Sequence, residues 1–138
     1  MASAVYPTAK NSFLSQNPSI DLDTDTIKVA LVNITADYTY SAAHQYYSSV
    51  TKYTGTTDQT LASKTVTSGV FDAADVTWTA VSISGTKTVG AAIIYKDTGT
   101  ASTSPLVAYI EFTSAVTPNG GDITVAWDNG ANKIFSLS

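Results

Sequence analysis

Apolar and polar residues alternate with a period of two through most of this chain, and the exceptions cluster near the N-terminus. The segment "TIKVALVNI" (Thr26–Ile34) sets Ile27, Val29, Leu31 and Asn33 on one face and Lys28, Ala30, Val32 and Ile34 on the other. With its second face also partly apolar, this strand is expected inside a sheet rather than on its rim. "KTVTSGVF" (Lys64–Phe71) and "DVTWTAVSI" (Asp75–Ile83) alternate as half-buried strands do. "VGAAIIYK" (Val89–Lys96) and "PLVAYIEF" (Pro105–Phe112) are denser, as central strands are, and the small polar residues between them predict a loop. "TPNGGD" (Thr117–Asp122) predicts a turn before the strand "ITVAW" (Ile123–Trp127). The Asn-Gly of Asp128–Asn132 predicts a hairpin joining that strand to the closing "KIFSL".

Two stretches follow a helical period instead. Pro7 suits a first helical turn, with Ala9, Phe13 and Leu14 at helical spacing and Pro18 as a stop; an extended arm fits the same residues. In "SAAHQYYSSV" (Ser41–Val50), Ser41 is a plausible N-cap, and Ala42, Ala43, Tyr46, Tyr47 and Val50 recur at helical spacing. The "TKYTGTTDQT" that follows is polar and turn-like. Short strands between turn clusters predict a mainly β fold, a single antiparallel β-sandwich or barrel-like domain (jelly-roll or Ig-like) with one or two short helices. Residues 1–20 form its N-terminal arm or short helix, separable from a β-sandwich domain over 21–138, so deleting residues 2–17 is expected to leave a folded domain.

Composition sharpens this picture. The 138 residues are 43% hydrophobic, enough for a real core, yet only 13% are charged, so solubility rests on Thr and Ser. No cysteine is present, which removes disulfides and thiolate metal sites. No stretch approaches the run of about 18 apolar residues needed to span a bilayer, and a secretory signal is not expected in an opening broken by Pro7 and Lys10. Net charge is −4, and the basic residues are single lysines with no arginine. Nucleic-acid binding runs on clustered Lys and Arg, so neither nucleic acid nor membrane is expected as a partner.

The candidate chemistry thins out when tested against spacing. Asp21, Asp23 and Asp25 alternate as the first ligands of a calcium loop would, but such a loop needs Gly at its sixth position and Glu at its twelfth, where Thr26 and Val32 stand. The aspartates are expected to punctuate a strand entrance, hydrogen-bonded to turn amides or solvated. His44 is the lone histidine, too few for zinc, and no nucleophile elbow accompanies it. The sole glutamate, Glu111, is expected to face outward beside Tyr109 or Lys96, and no glycine-rich phosphate loop is present. Trp78 and Trp127 are expected in or near the core. No catalytic residue, metal site or cofactor is expected. What remains is aromatic: Tyr38, Tyr40, Tyr46, Tyr47 and Tyr53 lie close in sequence, and tyrosine pairs an apolar face with a polar handle in the way interfaces favour, though packing over a sheet edge would use the same residues.

Several stretches carry a likeness: "AVYPTAKNSFLS", "IDLDTDTIKVALV", "ADYTYSAAHQYYSSV", "KTVTSGVFDAADVTW", "AAIIYKDTGTASTSPLVAYIEF" and, most specifically, "TPNGGDITVAWDNGANKIFSL". Together they resemble a family of small tailed-phage virion structural proteins, and the resemblance covers nearly the whole chain. It implies a non-enzymatic subunit located in the virion and assembled in the host cytoplasm. The first expectation is a capsid decoration or cement protein docked on the major capsid protein. The alternative is a tail, neck or fibre-tip component that binds a host surface or carbohydrate. Such a subunit is expected to be a homo-oligomer contacting its partners through Val5, Tyr6, Phe13 and Leu14 at the N-terminus and through Tyr38, Tyr40, Tyr46 and Tyr47.

Overall fold

A computed structural model describes residues 3–127 and 134–136. The chain is mainly β. Strands β1 (Ala4–Val5), β2 (Ile27–Val32), β3 (Gln59–Thr60), β7 (Val89–Lys96) and β8 (Leu106–Val116) form an antiparallel five-stranded sheet in the order β1-β8-β7-β2-β3. Strands β4 (Thr65–Thr67), β5 (Val70–Asp72) and β10 (Phe135–Ser136) form a second sheet, and β6 (Val76–Trp78) pairs with β9 (Ile123–Val125) in a third. The arrangement is sandwich-like, with one core cluster drawing on all three sheets. As its two apolar faces require, β2 lies inside the large sheet, between β7 and β3.

Register explains how the central sheet is covered. Paired residues share a face, so Ala30 and Val32 of β2 lie beside Ile93 and Ala91 of β7, with Tyr109 of β8 next to Ile93. Small side chains there leave room for aromatic rings, and Tyr6, Tyr38 and Tyr40 fill it against Tyr109. Ile27, Val29, Leu31, Ala92 and Ile94 alternate onto the other face, and all are fully buried.

The N-terminal segment is a helix, α1 (Pro7–Ser15), with Pro7 in its first turn and Gln16 in a left-handed conformation (φ 57°) closing it. It is not an appendage. Tyr6 is fully buried, Ala9 and Ser12 are buried, the amide of Tyr6 donates to the Val107 carbonyl at 3.0 Å, and β1 supplies an edge to β8. Against the expectation that deleting residues 2–17 leaves a folded domain, the deletion would strip Tyr6 from the core and expose the outer edge of β8.

Three further expectations give way. No α-helix forms over Ser41–Val50, where the structure has a turn and one 3₁₀ turn at Tyr47–Ser49. Ser41 does cap, but it caps a turn: its hydroxyl takes the Ala43 amide at 3.2 Å and its carbonyl the His44 amide at 3.1 Å. Tyr46 is then extended and bridges to Pro105, which opposes helical continuation. Lys64–Phe71 is two strands, because Ser68 and Gly69 both take positive φ (50° and 76°) and turn β4 into β5. That is the two-residue hairpin geometry in which glycine's missing Cβ matters. Among the described residues the closing strands do not pair with each other: β9 joins β6, β10 joins β5, and the Asp128–Asn132 turn itself lies outside the described residues.

Candidate docking surface

Two tyrosine clusters and one open cleft hold the groups singled out by the sequence. In the first cluster, the hydroxyls of Tyr6 and Tyr38 share a hydrogen bond of 2.6 Å, and the Tyr38 hydroxyl lies 2.9 Å from His44 Nδ1. Thr8 Oγ1 ties this end down by donating to the His44 carbonyl at 3.1 Å. Burial pushes the Tyr6 hydroxyl far above its ordinary pKa, helped by its bond to Tyr38, and burial raises Tyr38 as well. Tyr109 is pushed up to about 12, first by burial and then by Glu111, whose carboxylate accepts its hydroxyl at 3.1 Å. Glu111 thus stands beside Tyr109 as expected.

In the second cluster, the rings of Tyr47 and Tyr95 stack at 4.0 Å and 11°, and both hydroxyls donate to Oδ2 of Asp58 at 2.6 Å. Burial, then the carboxylate, drives both tyrosine pKa values well upward. Phenols held neutral in this way are poor acids and poor nucleophiles. Their hydrogen bonds anchor the Tyr46–Tyr47 segment to the sheet rather than offering it to solvent.

Of the residues expected at an interface, Tyr6 and Tyr38 are therefore core residues, and neither can meet a partner without unfolding. Val5, Tyr40, Tyr46 and Tyr47 are half-buried, and Val5, Tyr40 and Tyr47 pack directly on the core. Phe13 is also half-buried and packs on the core, and only Leu14 stands fully in solvent. Phe13 stacks on Phe135 with centroids 6.4 Å apart, and Leu14 is 89% exposed.

Phe13 also lines an open cleft of about 400 Å³ together with Gln16, Ile20, Asp21, Leu22, Asp23 and Val66. Its walls come from the end of α1, the aspartate turn and the hairpin strand β4. The turn is built as the sequence implied: the amide of Asp25 donates to the Asp21 carbonyl at 2.8 Å, and Asp25 Oδ2 accepts the Asp21 amide at 2.8 Å. Asp25 also pairs with Lys96 at 3.0 Å, and Lys64 donates to its carbonyl. The carboxyls of Asp21 and Asp23 hydrogen-bond each other, which lowers the first and raises the second. The cleft thus has an apolar floor and an acidic lip. All three residues of β4 are exposed, and β4 is an edge strand of its sheet.

Sequence reasoning missed Val66, Ile20 and Leu22 as neighbours of Phe13, and it missed Asp58 as the partner of two tyrosines. Val66 did carry a signal, being an apolar residue between two threonines in a short strand. The Asp58 contacts depend on pairings 11 and 37 residues apart. Among the described residues, no group of three or more His, Cys, Asp or Glu side chains could hold a metal ion, and no helix is long and apolar enough to cross a membrane. No family model matches the chain, and no curated protein matches it.

Proposed function

We propose that this chain is a non-enzymatic structural subunit of a tailed-phage particle, a capsid decoration or cement protein that docks on the major capsid protein and on copies of itself. The observation that carries the reading is the open cleft that Phe13 of α1 and Val66 of β4 line together, with the exposed Leu14 next to Phe13 in sequence. Of the three large apolar side chains that are strongly exposed among the described residues, Leu14 and Val66 belong to these two elements, and Phe13 lies in the cleft between them. Apolar groups gathered beside an unpaired strand edge favour protein contacts, because both the apolar surface and the edge amides gain partners. The likeness to small virion proteins supports the same reading. So does an acidic, arginine-free composition, which suits an outer position better than one against packaged DNA.

Repetition is what makes a modest face sufficient: in a symmetric shell each contact recurs and the contacts add by avidity. The test is quantitative mass spectrometry and electron microscopy of purified particles of the phage that encodes the chain. The reading expects many copies in register with the shell lattice. A few copies at the tail or neck would replace decoration by the alternative placement, and absence from the particles would overturn the proposal.

A further inference from the structure

The hairpin that carries β4 fixes which of its backbone groups face outward. Ser68 and Gly69, both at positive φ, join β4 to β5 as a two-residue turn, with Thr67 opposite Val70 and Val66 opposite Phe71. In such a hairpin the pair next to the turn exchanges hydrogen bonds and the following pair does not. The backbone N–H and C=O of Val66 therefore point away from β5. Phe71 mirrors this on its own side, where its carbonyl accepts the Ile134 amide at 3.1 Å. In the order β10-β5-β4, no described strand stands against the outer edge of Val66. Its side chain is 48% exposed and lines the cleft together with Phe13.

We propose that a second copy of the chain occupies this edge: β4 pairs antiparallel with the partner's β4 about a two-fold axis at Val66, joining two three-stranded sheets into one of six strands. The inference rests on the self-docking proposed above and gives it a geometry. A residue that presents both a donor and an acceptor on a free edge is its own complement. Each copy's Val66 N–H meets the other's Val66 C=O, and the two-fold closes the contact. Every neighbouring position then has a fixed opposite: Thr65 faces the partner's Thr67, and Lys64 faces the partner's Ser68. The charges fit, because no like charges meet across the pairing, and opposed threonines are a favourable pair. The two Val66 side chains lie side by side on the face that lines the cleft, which takes apolar surface out of water. β4 also carries no charge, proline or bulge, the devices by which natural edges avoid one another. With β4 only three residues long, the mutual bonds are confined to the axis, so the pair is weak alone and gains from repetition.

The chain has no cysteine, so the register can be read by cross-linking. Thr65→Cys and a heavier, tagged Thr67→Cys are mixed in equal amounts in a glutathione redox buffer; both positions are exposed, so the variants should fold. Across the proposed pairing, positions 65 and 67 are opposed with Cα atoms about 4.5 Å apart, within disulfide reach. Position 65 with itself, or 67 with itself, is a diagonal pair about 7–8 Å apart, beyond that reach. The mixed disulfide should therefore exceed either same-residue disulfide by about tenfold or more, where random collision would give about twofold. On the unmodified chain, amide exchange of Val66 should slow at least about threefold between roughly 0.1 and 2 mM protein, while the Thr65 and Thr67 amides, already bonded to β5, should not change. A parent that assembles by light scattering while the disulfides form at random, or while Val66 exchange stays constant, overturns the edge pairing and leaves self-docking standing. A parent that stays monomeric at every concentration overturns both, and leaves the edge to a different chain.

Discussion

Replacing Tyr47 and Tyr95 by phenylalanine, singly and together, asks whether the tyrosine-rich segment is structure or interface. Each substitution removes one hydroxyl and leaves the ring stack at 4.0 Å in place, so the change is polar rather than steric. Each hydroxyl donates a 2.6 Å bond to the same oxygen of Asp58, and a hydrogen bond to a charged group contributes about 1.5–3 kcal/mol. A single variant should therefore lose about 2 kcal/mol. At about 3–4 °C per kcal/mol for a chain of this size, its Tm falls by roughly 6–8 °C. The double variant should lose more than the sum. Asp58 Oδ1 is already buried without a partner, so losing both phenols leaves a part-buried carboxylate stripped of its tyrosine donors. We expect a coupling of about 1 kcal/mol or more. Urea unfolding followed by tryptophan fluorescence measures the cycle, and light scattering on the same samples should show association unchanged. Single losses below about 0.5 kcal/mol with strict additivity would refute the reasoning. So would variants that fold as stably as the parent but no longer associate.

Two other outcomes follow from the packing. Gly90→Ala would place a Cβ 2.6 Å from Ile34 Cγ1 and 2.9 Å from its Cδ1, an overpacking expected to cost about 1–3 kcal/mol; a melting temperature unchanged from the parent would contradict it. Tyr6, Tyr47 and Tyr95 have folded pKa values raised above the ordinary value near 10, so the stability they supply is complete below about pH 10 and drains away as pH rises beyond it. Absorbance at 295 nm should show fewer than the eight tyrosines ionising in the native protein, the rest appearing only with alkaline unfolding. Smooth titration of all eight near pH 10 in folded protein would count against the buried clusters.

How far the sequence foretold this molecule depended on the range of the interaction. Val89–Lys96 is a strand with the bounds its apolar run implied, and β2 lies inside its sheet because both its faces are apolar. Both tryptophans are buried as expected. Local turn chemistry is hidden where periodicity runs through it: Ser68-Gly69 turns the chain inside what otherwise alternates as one strand. The helical spacing at Ser41–Val50 misled because the backbone of Tyr46 bridges to Pro105 in an extended conformation while the Tyr47 ring stacks on Tyr95. Partner choice was the least legible. Nothing local tells β9 to join β6, some 47 residues away, instead of the strand that follows it. The same holds for the candidate cleft, which Phe13 and Val66 line together although they lie far apart in sequence.

The most direct test of the account is the molecular mass of the chain in solution across a concentration series, measured by light scattering for the parent and for Leu14→Glu/Val66→Lys. Both side chains are exposed, so the double variant should fold and melt like the parent. The parent should assemble beyond its 14.4 kDa monomer mass, and the double variant should stay monomeric. A parent that is monomeric at every concentration, or a double variant that assembles equally well, would contradict it.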